Sequence, residues 1–353
     1  MNCTMSVPVI SVVMPVLNAE DFVGQAVESI LQQTFRDFEF IAVNDGSTDR
    51  SLSILQDYAS HDRRIRIVSC EHRGVVDTLN QGVQAARGNW IARMDADDIA
   101  LPQRFERQLQ WLEQTKADIC GSWIKIFGKV DSNIIKYPRT DEANRMRMIF
   151  DPPVAHPAVM MKKSVIEALR YDKEWEKCED YDLWDRAVRA GCNITNVPEV
   201  LLLYRYHDRQ ISSYSFMIQQ QLAQKIRRRY LEYVCDLMKL EKKWIDDLLK
   251  LLEPSYRHPD MNHIDMAFID LLKNGHGEAQ ATVLSYAKLF YYKAAACCPD
   301  VVARWTRINQ CCGLPVDRNI IFKLRLFSTF HIDLDSRYFR ILQKVNSLFR
   351  RSD

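Results

Sequence analysis

Residues 9–49 read VISVVMPVLNAEDFVGQAVESILQQTFRDFEFIAVNDGSTD, and their pattern decides the fold class. Residues 9–14 are a nearly continuous apolar run rich in β-branched side chains, as expected of a strand covered on both faces. Residues 19–33 then place Phe22, Val23, Val27, Ile30 and Leu31 at helical spacing. Residues 38–43 are a second buried strand. Ser47 or Thr48 can cap the helix that follows, through Leu52, Ile54, Leu55 and Tyr58. Strand 65–68, a helix over 75–86 ending near Gly88, and strand 90–94 continue the alternation. Such repetition predicts an α/β fold with a parallel sheet and helices on both faces. Ligands of such sheets bind beyond the carboxyl ends of the strands. The loops after strands one, two and four are therefore the places to look for chemistry.

Beyond Pro102 the pattern loosens. Helices are expected at 103–114, 141–150 and 181–190, and strands at 119–127, 158–161 and 200–206. Strand signals then fade. Residues 218–252, 263–296 and 319–349 read as helical, with a proline-containing loop at 253–262. The division expected is 1–212, a catalytic α/β domain, and 213–353, a helical C-terminal region.

The chain has 353 residues, 47% hydrophobic and 27% charged, which is globular composition and excludes disordered and collagenous classes. A formal charge of +2 gives no electrostatic case for nucleic acid as a partner. The charge is uneven: residues 1–215 hold 26 Lys and Arg against 31 Asp and Glu, and residues 216–353 hold 22 against 15. Ten cysteines include no CxxC, and no His pair stands at zinc-finger spacing, so reduced thiols in a cytoplasmic protein are expected. No apolar stretch is long enough to span a bilayer. The segment 318–351 mixes eight Lys and Arg with many apolar residues. It reads either as a packed helical appendage or as a basic amphipathic surface resting peripherally on an anionic membrane.

Three motifs fall on the expected carboxyl edge: Pro15-Val16-Leu17-Asn18, Asn44-Asp45-Gly46-Ser47-Thr48-Asp49, and Asp95-Ala96-Asp97-Asp98. Three carboxylates in four residues repel one another, and a hard divalent cation, Mg2+ or Mn2+, relieves that repulsion. On an extended segment Asp95 and Asp97 point the same way and can address one ligand. Asp45 can accept from a ring N–H of a ligand or make an Asx turn, and Asn18 can cap the first helix. A second acidic cluster, Glu179-Asp180-Tyr181-Asp182, suits the first turn of a helix.

PVLN, VNDGSTD, the segment RGVVDTLNQGVQAARGNWIARMDADD and CEDYDLW together resemble glycosyltransferase family 2 over roughly residues 7–212. The resemblance implies a GT-A fold and an inverting transferase that uses a nucleoside-diphosphate sugar, usually a UDP-sugar. It implies that Asp45 contacts the base, with Pro15, Asn18 and Arg73 near the donor. Asp95 would lie by the ribose and Asp97 on the metal. Asp180 corresponds to the catalytic base, with Glu179 supporting it. Asn44 departs from the family's usual acid at that position. Tyr204-Arg205-Tyr206-His207 is similar to a segment whose His approaches the metal and whose Arg suits a diphosphate, and His156 recurs near the acceptor region. The implied acceptor is a saccharide or lipid-linked saccharide in lipopolysaccharide or capsule synthesis. A sugar nucleotidyltransferase would need a Gly-rich basic loop near its N-terminus, which PVLNAEDFVGQ is not. A non-catalytic nucleotide-binding or scaffolding protein would tolerate loss of Asp180.

Overall fold

A computed structural model describes residues 7–129, 133–207, 213–253 and 260–332. The chain divides into two compact units, 1–226 and 227–353.

The first unit is built on a nine-stranded sheet. Its elements run β1 Ile10–Val16, α1 Val23–Leu31, β2 Phe38–Asp45, α2 Ser51–His61, β3 Ile65–Cys70, α3 Val75–Ala85, β4 Trp90–Arg93, β5 Ile99–Ala100, α4 Arg104–Thr115, β6 Ile119–Gly128, β7 Ile134–Ile135, α5 Asp141–Arg147, β8 Met160–Lys162, α6 Lys163–Leu169, α7 Glu179–Arg189 and β9 Ile194–Tyr206. The strand order is β3-β2-β1-β4-β8-β6-β9-β5, with β7 on β6. The expected parallel order holds for β3, β2, β1 and β4. Beyond β4 the sheet turns mixed, because β8 runs antiparallel to both β4 and β6.

Both faces of the central strands are covered, which is why their sequences do not alternate. Val12, Met14, Phe40 and Ala42 face α1 and α4 in one apolar cluster. Val13 and Val43 face the other way, against Gly82 of α3.

Several local readings change. The first helix begins at Val23 rather than near 19, and Asn18 does not cap it. The second begins at Ser51, and its first-turn N–H is met by Asp49 Oδ1 at 2.9 Å instead of by Ser47 or Thr48. Strand β9 starts six residues before the expected 200, pairing with β6 along its length across a register shift near Ser122–Ile124.

The expected long helix at 218–252 is two helices, α8 Ser213–Met238 and α9 Ile245–Leu251, broken where Lys239 takes φ 55°. In the second unit follow α10 Met261–Asn274, α11 Glu278–Ala294, α12 Val301–Cys311 and α13 Arg318–Thr329. Its core contains Trp244, Phe268, Tyr291 and Trp305. Buried Asp265 receives Tyr291 Oη, Arg304 Nη1 at 2.8 Å and Arg307 Nη2, so one carboxylate ties α10 to α11 and α12. The readings made for 333–351 lie outside the described residues. No helix among the described residues is long and apolar enough to cross a membrane.

Candidate active site

The loops after β1 and β2 are joined to each other before they meet any ligand. Asn18 sits at φ 48°, and its Oδ1 accepts the Thr48 N–H at 2.9 Å. Asn18 N–H donates to Ser47 Oγ at 3.1 Å, and Glu20 N–H to Asp49 Oδ2 at 3.0 Å. The loop after β1, held by the loop after β2, forms one wall of a cleft of about 640 Å³ at the carboxyl edge of the sheet. Pro15 and Asn18 line it, with Asp45, Asp95, Asp97 and His207.

Asp45 is buried at the end of β2. Its Oδ1 accepts the Arg73 N–H at 2.8 Å; its Oδ2 accepts the Gly74 N–H at 3.1 Å and faces His72 Nδ1 at 2.8 Å. Burial opposes ionisation, but the Arg73 N–H, the His72 ring and the Gly74 N–H outweigh it and hold this carboxyl below its ordinary value. The 72–74 loop can approach so closely because residue 46 is glycine at φ 71°; a Cβ there would stand 2.8 Å from His72 N.

After β4, Asp95, Asp97 and Asp98 bring one carboxylate oxygen each within 4.8 Å of one another. Arg93 Nη1 pairs with Asp95 Oδ2, and His207 Nε2 lies 3.0 Å from Asp97 Oδ2. Asp98 is fully buried, with Oδ1 accepting the Arg205 N–H at 2.8 Å and Oδ2 left without a hydrogen-bond partner. Burial, then the charges of Asp95 and Asp97, push the Asp98 carboxyl well above its ordinary value. Clustered carboxylates, an orphaned buried oxygen and a nearby imidazole form a donor set that fits a hard divalent cation such as Mg2+ or Mn2+.

Arg205 holds this loop. Its Nε donates to the Asp97 carbonyl at 2.7 Å and its Nη2 to Gln25 Oε1 at 2.7 Å. The guanidinium is flanked by the rings of Phe22 and Phe127, 4.7 and 4.5 Å from their centroids.

The second acidic cluster opens α7. Glu179 Oε2 accepts the Lys177 N–H at 2.9 Å, and Asp180 Oδ1 accepts the Tyr181 N–H at 2.8 Å. Burial and the neighbouring Asp180 charge push Glu179 up to about 7, against the pull of Arg93. Burial also raises Asp180; the Tyr181 N–H and Arg93 oppose it, and Asp95 adds to the rise. Asp180 and Asp95 therefore sense each other, although they are far apart in the sequence. Glu176 and Lys177, just ahead of α7, line the cleft itself.

Two expected site residues lie elsewhere. His156 is buried behind the site, with Nε2 2.9 Å from Tyr171 Oη and its ring edge-on to Trp184. Burial, then the nearby Arg93 charge, push it well below its ordinary value, so it is a neutral core imidazole. The Arg73 side chain lines a separate cavity of about 360 Å³ with Asp77 and Arg170; only its main-chain N–H serves Asp45.

Sequence reasoning assigned no role to His72 or Arg93, and counted Asp98 only as one of the clustered carboxylates. Arg93 carried a signal, a charge inside a buried strand next to an acidic run. His72 carried none, since its contact with Asp45 spans 27 residues and exists only in the fold.

Residues 11–170 match the model of a family described as Glycosyl transferase family 2. An uncharacterized glycosyltransferase of Haemophilus influenzae is 33% identical over 266 residues, 71% of this chain and 80% of the relative. The O-antigen biosynthesis glycosyltransferase WbnJ of Escherichia coli is 35% identical over 205 residues, 57% of this chain and 80% of the relative. Among solved structures, S. aureus TarS 1–349 with UDP aligns over 91% of this chain and 90% of its own, with TM-score 0.53 and 16% identity. A mannosyltransferase from Pyrobaculum calidifontis with GDP-Man and Mn2+ aligns over 92% and 88%, with TM-score 0.53 and 15% identity. At these identities the structural likeness speaks for the GT-A fold alone.

Proposed function

The chain belongs to glycosyl transferase family 2, and from that premise we propose that it is an inverting, metal-dependent transferase. It moves a sugar from a nucleoside-diphosphate donor, UDP-linked by preference, to a hydroxyl of a saccharide or lipid-linked saccharide. The observation that carries this reading is one cleft that gathers Asp45, Asp95, Asp97 and His207, with Asp180 within electrostatic reach of Asp95.

Asp45 and the 72–74 loop receive the base, with Pro15 and Asn18 forming the wall beside it. Asp95, Asp97, Asp98 and His207 would hold Mg2+ or Mn2+, which supplies positive charge for the departing diphosphate. Arg205 keeps the acidic loop in place through the Asp97 carbonyl, rather than by gripping the diphosphate. Asp180 takes the proton of the acceptor hydroxyl as that oxygen bonds to the anomeric carbon and the bond from that carbon to the diphosphate oxygen breaks. A single displacement from the opposite face inverts the centre. Burial makes the Asp180 carboxylate a stronger base than an exposed one. Glu179 supports it from the preceding position.

The O-antigen enzyme among the relatives supports a surface-glycan product such as lipopolysaccharide or capsule. Peripheral contact with a membrane through the basic C-terminal helices accords with Phe322 and Phe330, exposed on and just after α13 in the same stretch as Lys323 and Arg325.

The test is calorimetric binding of UDP, with GDP, CDP and ADP as controls, with and without Mn2+, on wild type, Asp97→Ala and Asp180→Asn. Metal-dependent UDP binding that is lost in Asp97→Ala, and kept in an inactive Asp180→Asn, is the expected outcome. Near-normal turnover by Asp180→Asn would remove the assigned base.

A further inference from the structure

Arg93 closes β4 with a side chain only 6% exposed. A guanidinium buried in a central strand is costly unless paired, so its surroundings show what it is there for. Ala92 and Met94 belong to the apolar cluster under α1 and α4. Arg93 therefore points to the other face, where His156 and Tyr171 sense its charge. Its backbone is held on both sides: its N–H donates to the Val159 carbonyl at 3.0 Å, and its carbonyl accepts from Arg104 Nη2 at 2.7 Å. The charge is thus fixed in place. Nη1 takes Asp95, while buried Nε has no hydrogen-bond partner in the fold. The same charge bears on Glu179 and Asp180 at the start of α7. Three carboxyl groups, one on the donor loop and two on α7, share one immobile cation.

We propose that Arg93 is a positioning residue. It holds the Asp95 carboxylate to the donor side and stands as the fixed counter-charge that lets Asp180 work beside it. This rests on the reading of Asp95 as donor-side and Asp180 as base. A planar fork on a rigid strand suits the task better than a lysine, whose ammonium is a mobile point charge.

The experiment compares wild type, Arg93→Lys, Arg93→Met and Asp180→Asn. UDP release is followed from UDP-glucose, UDP-galactose and UDP-N-acetylglucosamine with Mn2+ and water as acceptor, across pH. UDP–Mn2+ binding is measured by calorimetry and folding by melting. Arg93→Met is expected to lose about 100-fold in kcat and to move the acid limb of the profile upward. Arg93→Lys, with its charge kept, is expected to leave the limb in place, bind UDP within about threefold of wild type and lose about tenfold in kcat. A purely structural arginine would lower the melting temperature and leave kcat and the limb of the folded protein unchanged; that result overturns the proposal. If Arg93→Met does not fold, wild-type kcat in Arg93→Lys overturns it equally. An active Asp180→Asn removes the underlying reading instead, whereas an inactive one beside normal Arg93 variants removes this inference alone.

Discussion

His207 Nε2 lies 3.0 Å from Asp97 Oδ2, although 110 residues separate them. The end of β9 is carried to the acidic loop because β9 pairs with β5, which directly follows that loop. The Phe22 ring packs 5.0 Å from the imidazole and helps to hold it there. His207→Ala should weaken the Mn2+ dependence of nucleotide binding roughly 10- to 100-fold. Calorimetry across a Mn2+ series checks this; an unchanged dependence would leave His207 a packing residue.

The Asp45 carboxylate is largely occupied by its own protein, since the N–H groups of Arg73 and Gly74 and the His72 ring all address it. A base N–H must compete with the exposed His72 ring for the same oxygens. His72→Ala is expected to tighten UDP binding by roughly threefold or more, because it frees an acceptor at no cost to the backbone contacts. A loss of affinity would instead make the ring a ligand contact. The stability that Asp45 contributes is present above its ordinary pKa of 3.8 and lost as pH falls through its lower folded value. Melting temperatures of wild type and Asp45→Asn should therefore differ most above pH 4 and converge in acid.

Glu179 behaves with the opposite sign. Its folded value of about 7 lies above the ordinary 4.5, so the folded chain binds the extra proton between those limits. The corresponding stability is complete below pH 4.5 and is lost as pH rises through 7. Glu179→Gln removes that loss. Its melting temperature should match wild type near pH 5 and exceed it at pH 8.

Gly82 lies where α3 crosses the sheet, and a Cβ there would collide with Val13 Cγ1 and stand 3.1 Å from Val43 Cγ2. Both valines are fixed in β1 and β2. Gly82→Ala should destabilise the chain by about 1–3 kcal/mol through overpacking, measured by denaturant unfolding. Better helix propensity alone would change stability in the other direction.

The first four strands and three helices were legible because each carries a local signal. Strands covered on both faces require apolar runs, helices require 3.6-residue spacing, and sharp turns require residues such as Gly46. The mixed half of the sheet was not legible in the same way. β5 and β7 are two residues long, too short to show a period, and only their pairing with β9 and β6 makes them strands, whereas the strand expected at 158–161 is found as β8. Helix α12 was missed, although Val301, Trp305 and Ile308 stand at helical spacing on its buried face.

By itself the sequence determined the parallel core, the three loops at its carboxyl edge and the residue types offered there, because those properties depend on near neighbours in the chain. Only the tertiary structure decided how those residues are used. It turned the Arg73 side chain out of the cleft and buried His156 as a neutral core ring. It set His72 against Asp45 and placed Arg93 among Asp95, Glu179 and Asp180. Burial, distance and the field of nearby charges set what a polar side chain can do. In this chain most of the partners that supply them, Asp95 beside Arg93 apart, come from segments well separated in the sequence.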